Sequence, residues 1–307
     1  MTAPVLPLDI AENVARALAD GRPVVALEST IITHGLPRPR NLELARAAEA
    51  EIRAAGATPA TIAVMDGRLK VGLSPQALER LAEARGVAKL SRADLAACLA
   101  AGATGATTVS ATMIAARAAG IAVFATGGIG GVHRGAQESF DISADLRELA
   151  QTPVTVVAAG AKAILDLPKT LEVLETLGVP VIAHGQDGFP AFWSRASGLR
   201  APLRMDCPAA IARAHRMRAA LGLPGGQLVA NPIPPEAEIP RAEIEPWIAR
   251  ALADAAVEGV SAKAVTPYLL DRILSLSAGR SLEANIALVL NNARLGARIA
   301  QHLAEEA

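Results

Sequence analysis

Aromatic side chains are scarce in this chain of 307 residues, where two tryptophans, one tyrosine and four phenylalanines make up 2%. Few rings are available for stacking, and the apolar 51% is mostly small aliphatic residues suited to tight packing of helices on a sheet. Cysteine is nearly absent too. Cys98 and Cys207 lie far apart with no C-x-x-C spacing, which excludes a disulfide framework or a structural zinc site and fits a reducing compartment. Charge of one sign is lacking: 30 basic and 30 acidic residues cancel. No electrostatic footprint for nucleic acid or a membrane surface follows.

Long apolar runs are missing as well. The first residues carry Asp9 and Glu12 rather than a basic start and an apolar block, so no signal peptide is expected. Leu95 to Ala116 is uncharged over a length that could cross a bilayer, but Gly102 and Gly105 break it and large apolar residues are few. It reads as a helix, a turn and a buried strand leading into another helix. A soluble, cytoplasmic protein is the expectation, with no membrane or nucleic-acid partner.

Familiar catalytic signatures fail on spacing. The five histidines show no H-E-x-x-H pattern, Cys207 has no histidine arrangement suggesting a thiol nucleophile, and Ser110 is not in a G-x-S-x-G elbow. Gly128 and Gly130 give G-x-G, but His133 stands where a dinucleotide fingerprint needs its third small residue. Gly130 to Gly135 has P-loop spacing, yet Ala136-Gln137 replaces the required Lys and Ser/Thr. NAD and Walker-type ATP binding are therefore disfavoured.

What is present is an alternation of apolar strand-like runs with helical patterns, which predicts a mostly parallel sheet covered by helices on both faces. Strands are expected at Pro23–Thr30, Thr61–Met65, Leu69–Leu73, Thr107–Ser110, Ile121–Ala125, Val154–Ala159 and Pro180–Ala183, with Asp66-Gly67 as a hairpin turn. Helices are expected at Leu42–Ala55, Pro75–Arg85, Arg92–Ala101 and Ala163–Leu177, the last bent at Pro168. Lys89-Leu90-Ser91 reads as a connection, and Gly185–Ile239 as loop with short helices. From Ile244 the pattern is helical, Ser281 capping the last helix. With no repeat or linker, residues 1–307 read as one domain.

Three chemical offers fall between Ala125 and Leu165. Thr126 to Gly135 is a glycine-rich loop after a strand, whose amides, with Thr126, His133 and Arg134, can wrap an anion; a tight strand-to-helix turn is the plainer account. Asp141, Ser143 and Asp145 offer hard oxygens suited to Mg²⁺ or Mn²⁺, although the same residues are favoured caps for a helix at Ala144–Ala150. Lys162 follows a strand's carboxyl end at the expected start of a helix, where a lysine is locally disfavoured and a reactive amine becomes the alternative to a solvated one. Glu28 ends an apolar run, where an open α/β sheet places its ligand crevice; it is either a general acid or base or a turn cap. Lys89 and Asn285 carry no signal from spacing.

The chain resembles the pseudouridine-5'-phosphate glycosidases, the indigoidine synthase A-like family. The matching segments are ALESTIITHGLP from Ala26, AVMDGRLKVGLS from Ala63, KLSRADLA from Lys89, and GATTVSATMIAARAAGIAVFATGGIGGVHRGA from Gly105. FDISADL from Phe140, VVAAGAKAILDLPKTLEVLETLGVPVI from Val156, FPAFWSR from Phe189, NPIP from Asn231, TPYLL from Thr266 and SLEANIALVLNNARLGARIA from Ser281 continue in family order. The resemblance implies a three-layer α/β/α fold with a mostly parallel sheet, a homotrimer, and reversible conversion of pseudouridine 5'-phosphate to uracil and ribose 5-phosphate. It implies Lys162 as a nucleophile forming an imine-type adduct with ring-opened ribose, Glu28 as proton donor, and Asp141 as ligand to Mn²⁺, Mg²⁺ or another divalent ion. Lys89, the backbone at Val109, Ser143, Ala144, Asp145 and Asn285 would contact substrate, and Thr126 and His133 would seat the 5'-phosphate. Ala136-Gln137-Glu138 and His184 to Phe189 depart from the family pattern beside the site.

A Schiff-base aldolase or lyase on another sugar phosphate would use the same lysine and loop. A sugar-phosphate-binding regulator would need no reactive amine.

Overall fold

The computed structural model describes residues 6–260 and 264–305. Its elements in chain order are β1 (Leu8–Ile10), α1 (Glu12–Ala19), β2 (Val24–Leu27), a π turn at Ile31–Gly35, α2 (Arg40–Ala54), β3 (Thr58–Met65), β4 (Arg68–Val71) and α3 (Pro75–Glu83). Next come β5 (Ala88–Leu90), α4 (Arg92–Ala100), β6 (Gly105–Thr107), α5 (Val109–Ala118), β7 (Val123–Ala125), α6 (Ala136–Ser139), α7 (Ala144–Gln151), β8 (Thr155–Ala158) and α8 (Leu167–Thr176). The chain continues through β9 (Val181–His184), β10 (Leu203–Met205), α9 (Pro208–Ala220), β11 (Gln227–Ala230), α10 (Arg241–Val257), α11 (Val265–Leu276) and α12 (Arg280–Glu305).

The strands run β1-β4-β3-β2-β7-β8-β11-β9-β10, with β5 and β6 branching from β3. From β3 through β2, β7, β8, β11 and β9 to β10 every pairing is parallel, whereas β3 pairs antiparallel with β4 and β6. Helices cover both faces, giving the expected three layers. The central strands are buried throughout, Val25, Ala26, Val156, Val157, Val229 and Ala230 all at 0% exposure, as a two-sided cover requires. Asp66 and Gly67 make the β3–β4 turn with φ of 52° and 70°, the left-handed pair that matches strand twist.

Several expectations are corrected. Gly185–Ile239 is not mainly loop: it contributes the thirteen-residue α9 and the central strand β11, which hydrogen-bonds to both β8 and β9. Lys89 and Leu90 belong to β5, paired with β6, rather than to a connection. The strand expected at Thr107–Ser110 stops at Thr107, and α5 begins at Val109. Pro168 does not bend a helix; it sits in the first turn of α8, where its missing N–H costs nothing. Ser281 lies inside α12, and its own amide is capped by the hydroxyl of Ser277. Among the described residues no single helix is long and apolar enough to cross a membrane.

Candidate active site

Chain order turns back at β2: β3 lies on one side of it, while β7 and β8 lie on the other. In open α/β sheets such a reversal leaves a crevice beyond the strands' carboxyl ends. A cavity of about 370 Å³ opens there, lined by segments that follow β2, β7 and β8 and by α11 and α12. Glu28, Lys89, Val109, His133, Asp141, Ser143, Ala144, Asp145, Lys162 and Asn285 all line it. Fold topology thus collects residues spread over more than 250 positions of sequence.

Glu28 is one residue past β2 and 9% exposed. Thr30 donates its hydroxyl hydrogen to Oε2 and Thr126 to Oε1, so both oxygens are held. Thr126 is not on the cavity wall. It stands behind Glu28, with its hydroxyl directed to that carboxylate. Beyond Thr30 the π turn, an irregularity common at functional sites, carries His34 onto the wall.

Lys162 is not in a helix. It belongs to the loop between β8 and α8, and its amide donates to the Ile129 carbonyl at 3.1 Å while Ile129 donates to Gly160 at 3.1 Å. The glycine loop is therefore laced to the lysine loop, which holds the Lys162 backbone against the cavity. The same lacing occupies several of the loop's amides. Thr126 donates to Val157 at 2.9 Å, Val132 to the Thr170 hydroxyl at 3.0 Å and His133 to Asp141 at 3.0 Å. Gly130 donates to Asp145 at 2.8 Å. Glycine at 130 serves close approach: a Cβ there would lie 2.3 Å from the Ser143 hydroxyl oxygen.

A second anion-favouring feature lies beside the loop. The first residues of α5 and α7 both line the cavity, aiming the positive ends of two helices into it, and Lys89 lines it beside them. Asp145 ties this wall together. Its Oδ1 accepts from the Ser110 amide at 2.9 Å and its Oδ2 from Gly130, so its charge is spent on backbone rather than on a metal. Ser143 caps α7 through the Asp145 amide at 3.2 Å. Asp141, Ser143 and Asp145 consequently do not act as one hard-oxygen ligand set, and among the described residues no group of three or more histidine, cysteine or acidic side chains converges.

Asp141 differs. It faces the cavity half-exposed, with Oδ2 3.8 Å from Nδ1 of His133. Burial pushes the His133 imidazole below the ordinary histidine value; Asp141 opposes this, and Lys162 and Lys89 reinforce it. His133 thus gains a proton less readily than an ordinary histidine. His34 is likewise pushed down, first by burial and then by Lys89.

Residues 13–302 match the family described as indigoidine synthase A like protein. The chain belongs to the indigoidine synthase A-like family. A protein of Jannaschia sp. named pseudouridine-5'-phosphate glycosidase is 71% identical over 97% of this chain and 99% of its own length. A Paracoccus denitrificans protein of the same name is 71% identical over 96% and 98%. Among solved structures, the prealnumycin C-glycosynthase AlnA in complex with ribulose 5-phosphate superposes with a TM-score of 0.91 at 40% identity, covering 99% of both chains. An indigoidine synthase A-like protein of Thermotoga maritima gives 0.88 at 35% identity, with 99% of both chains covered.

Within this indigoidine synthase A-like chain, several site residues carry no sequence signal of their own. Thr30 and His34 lie in the ESTIITHG segment, but only the π turn brings His34 inward. Phe192 lines the cavity with φ of 61°, a conformation rare for an aromatic residue, and packs against Gly128. Trp193 Nε1 donates to Asn285 Oδ1 at 2.7 Å, which fixes the Asn285 amide on the wall.

Proposed function

We propose that this chain is a pseudouridine-5'-phosphate glycosidase, converting pseudouridine 5'-phosphate and water reversibly to uracil and ribose 5-phosphate. One observation carries the reading: a clamped carboxylate, Glu28, and a lysine, Lys162, share one cavity with two helix N-termini and Lys89. The relatives' names and the AlnA sugar-phosphate complex support it.

The scissile bond joins two carbons, so protonating a leaving oxygen or nitrogen cannot by itself release the base. Glu28 gives its proton to the ribose ring oxygen as the C1'–O bond breaks, and Lys162, having shed a proton, forms a bond from Nζ to C1'. Glu28, now a carboxylate, takes a proton from the alkylated Lys162 nitrogen and hands it to uracil C5, and the C1'–C5 bond breaks. Its electron pair returns to the uracil ring, and the lysine nitrogen's lone pair forms the imine at C1'. Water adds to the imine and frees ribose 5-phosphate and Lys162. The phosphate belongs at the α5 and α7 N-termini beside Lys89 and His133, with Val109, Ser143 and Ala144 supplying backbone, and Asn285 faces the remainder of the substrate.

A divalent ion fits at Asp141. One half-exposed carboxylate beside an imidazole suits Mn²⁺ or Mg²⁺ held mainly by water and substrate oxygens. Such an ion would supply charge for substrate oxygens. We further assign the chain to a soluble cytoplasmic homotrimer, a state that sedimentation equilibrium tests directly.

The deciding experiment follows uracil release from pseudouridine 5'-phosphate with Mn²⁺, wild type beside Lys162→Ala. Release by the wild type and none by the variant is expected, together with a borohydride-reduced adduct on the wild type alone. No release by a folded, metal-loaded wild type refutes the glycosidase. Turnover by Lys162→Ala refutes the covalent route.

A further inference from the structure

Strand β7 leaves the sheet at Thr126, and that departure creates a problem the backbone alone does not solve. The Thr126 amide still bonds across to Val157, and the Gly127 carbonyl still accepts from Ala159 at 2.8 Å. The Thr126 carbonyl points away from this ladder in a fully buried place, where an unmet acceptor is costly. Asn292 of α12 meets it. Its Nδ2 donates to the Thr126 carbonyl at 2.8 Å and to the Gly127 carbonyl at 3.3 Å, and the side chain is 0% exposed.

The rest of the network is fixed by deduction from those carbonyls. Only the NH₂ group of Asn292 can face them, so Oδ1 faces Asn231, whose Nδ2 donates to it at 3.0 Å. Asn231 then presents Oδ1 to Nδ1 of His184 at 3.3 Å, and that ring nitrogen must carry the hydrogen. One helix face does two tasks: Asn285 and Val289 line the cavity, and Asn292, at the next helical repeat, reaches behind it.

We infer that Asn292 is a positioning residue for the proton donor: by pinning the Thr126–Gly127 peptide it aims the Thr126 hydroxyl at Glu28. The inference rests on Glu28 being that donor. Without Asn292 the buried Thr126 carbonyl is unmet and its peptide tilts between the bonds that still hold the Thr126 amide and the Gly127 carbonyl; the Thr126 hydroxyl then leaves its place at Oε1, and Glu28 is held by Thr30 alone. Substrate contacts on the α5 and α7 wall are untouched, so the loss falls on kcat and not on KM.

The test is steady-state kinetics on pseudouridine 5'-phosphate for Asn292→Leu, Asn292→Asp, Thr126→Val and the Asn292→Leu/Thr126→Val pair, with Glu28→Gln as reference and thermal melting to confirm folding. Asn292→Leu should lower kcat by roughly tenfold to a hundredfold with KM within about threefold, a share of what a placed acid contributes. Asn292→Asp, which turns an acceptor toward both carbonyls, should fall at least as far. The double variant should be no slower than the slower single one, because both substitutions remove the same support. Losses that multiply, or a loss confined to KM, would overturn the assignment. Should Asn292→Leu not fold, Asn231→Ala carries the same comparison, leaving Asn292 in place without its partner. A fully active Glu28→Gln would refute the donor itself; an inactive Glu28→Gln beside a fully active Asn292→Leu would refute only the role of Asn292.

Discussion

Thr126 and Glu28 lie 98 residues apart in sequence and meet at the ends of neighbouring strands, the threonine hydroxyl donating to the carboxylate. Thr30 donates to the other oxygen from only two residues away. Leaving a buried hydrogen-bonding group unmet costs about 1–3 kcal/mol, so losing either clamp should cost roughly tenfold to a hundredfold in kcat. Thr126→Val and Thr30→Val should each show this, while Thr126→Ser, which keeps the hydroxyl, should stay within about threefold of wild type. Equal rates for the valine and serine variants would show that the hydroxyl is idle and the contact merely packs.

Gly130 tests the wall rather than the donor. A Cβ there would lie 2.3 Å from the Ser143 hydroxyl oxygen and 2.8 Å from Asp145 Oδ2. The first turn of α7 would have to move outward, and the wall on which we place the phosphate would move with it. Overpacking of this kind costs about 1–3 kcal/mol, so Gly130→Ala should fold with a lowered Tm. Its KM should rise more than its kcat falls. A wild-type KM at a lowered Tm would place the phosphate elsewhere.

Most of the α/β layering was legible because central strands between two helical layers must be apolar on both faces, and β2, β7 and β8 are. Strand β11 was not legible: four residues between Gly225-Gly226 and Asn231-Pro232 look like loop until β8 and β9 are found pairing with them. The glycine loop was only partly legible. Glycines advertise an open backbone, yet Asp145 takes the Gly130 amide while Gly160 and Thr170 take those of Ile129 and Val132, and which residue approaches a loop amide is a tertiary fact. Glu28, Asp141 and Lys162 stood near a strand end or a cap, each with a plainer account beside it, and it was the family resemblance that gave them roles. Asn292 could not, since a buried asparagine on a helix has no signal until its carbonyl partners are known.

Asp141 makes a prediction about metal. Dialysis against a chelator should lower activity by at least about tenfold, and Mn²⁺ should restore it better than Mg²⁺ if His133 assists, because imidazole favours the softer ion. Asp141→Asn should abolish heat of Mn²⁺ binding by calorimetry while leaving the fold intact, as its carboxylate faces the cavity rather than the core. Unchanged Mn²⁺ binding by that variant would remove Asp141 from the ion's shell.

The histidines predict how stability responds to acid. Burial is the foremost cause pushing His34, His133, His184 and His215 below the ordinary value of 6.5. For His215 the neighbouring Arg216 and Arg218 add to it; for His184 the Asn231 contact partly opposes it. In each case the folded chain binds a proton less readily than the unfolded one. Above the unfolded value both states are neutral and the full stability is present. As pH falls through 6.5 the unfolded chain takes up protons first, so stability drops with falling pH until the folded imidazoles also titrate. The Tm should therefore decline between about pH 7.5 and 5.5, before any carboxylate titrates. His215, hydrogen-bonded to Thr155 at 2.9 Å on the α9 side and remote from the cavity, isolates the effect. His215→Phe should lower the Tm at neutral pH and flatten its acid decline. A Tm that is level across this range, or an acid decline unchanged in the variant, would show that these imidazoles are hydrated in solution.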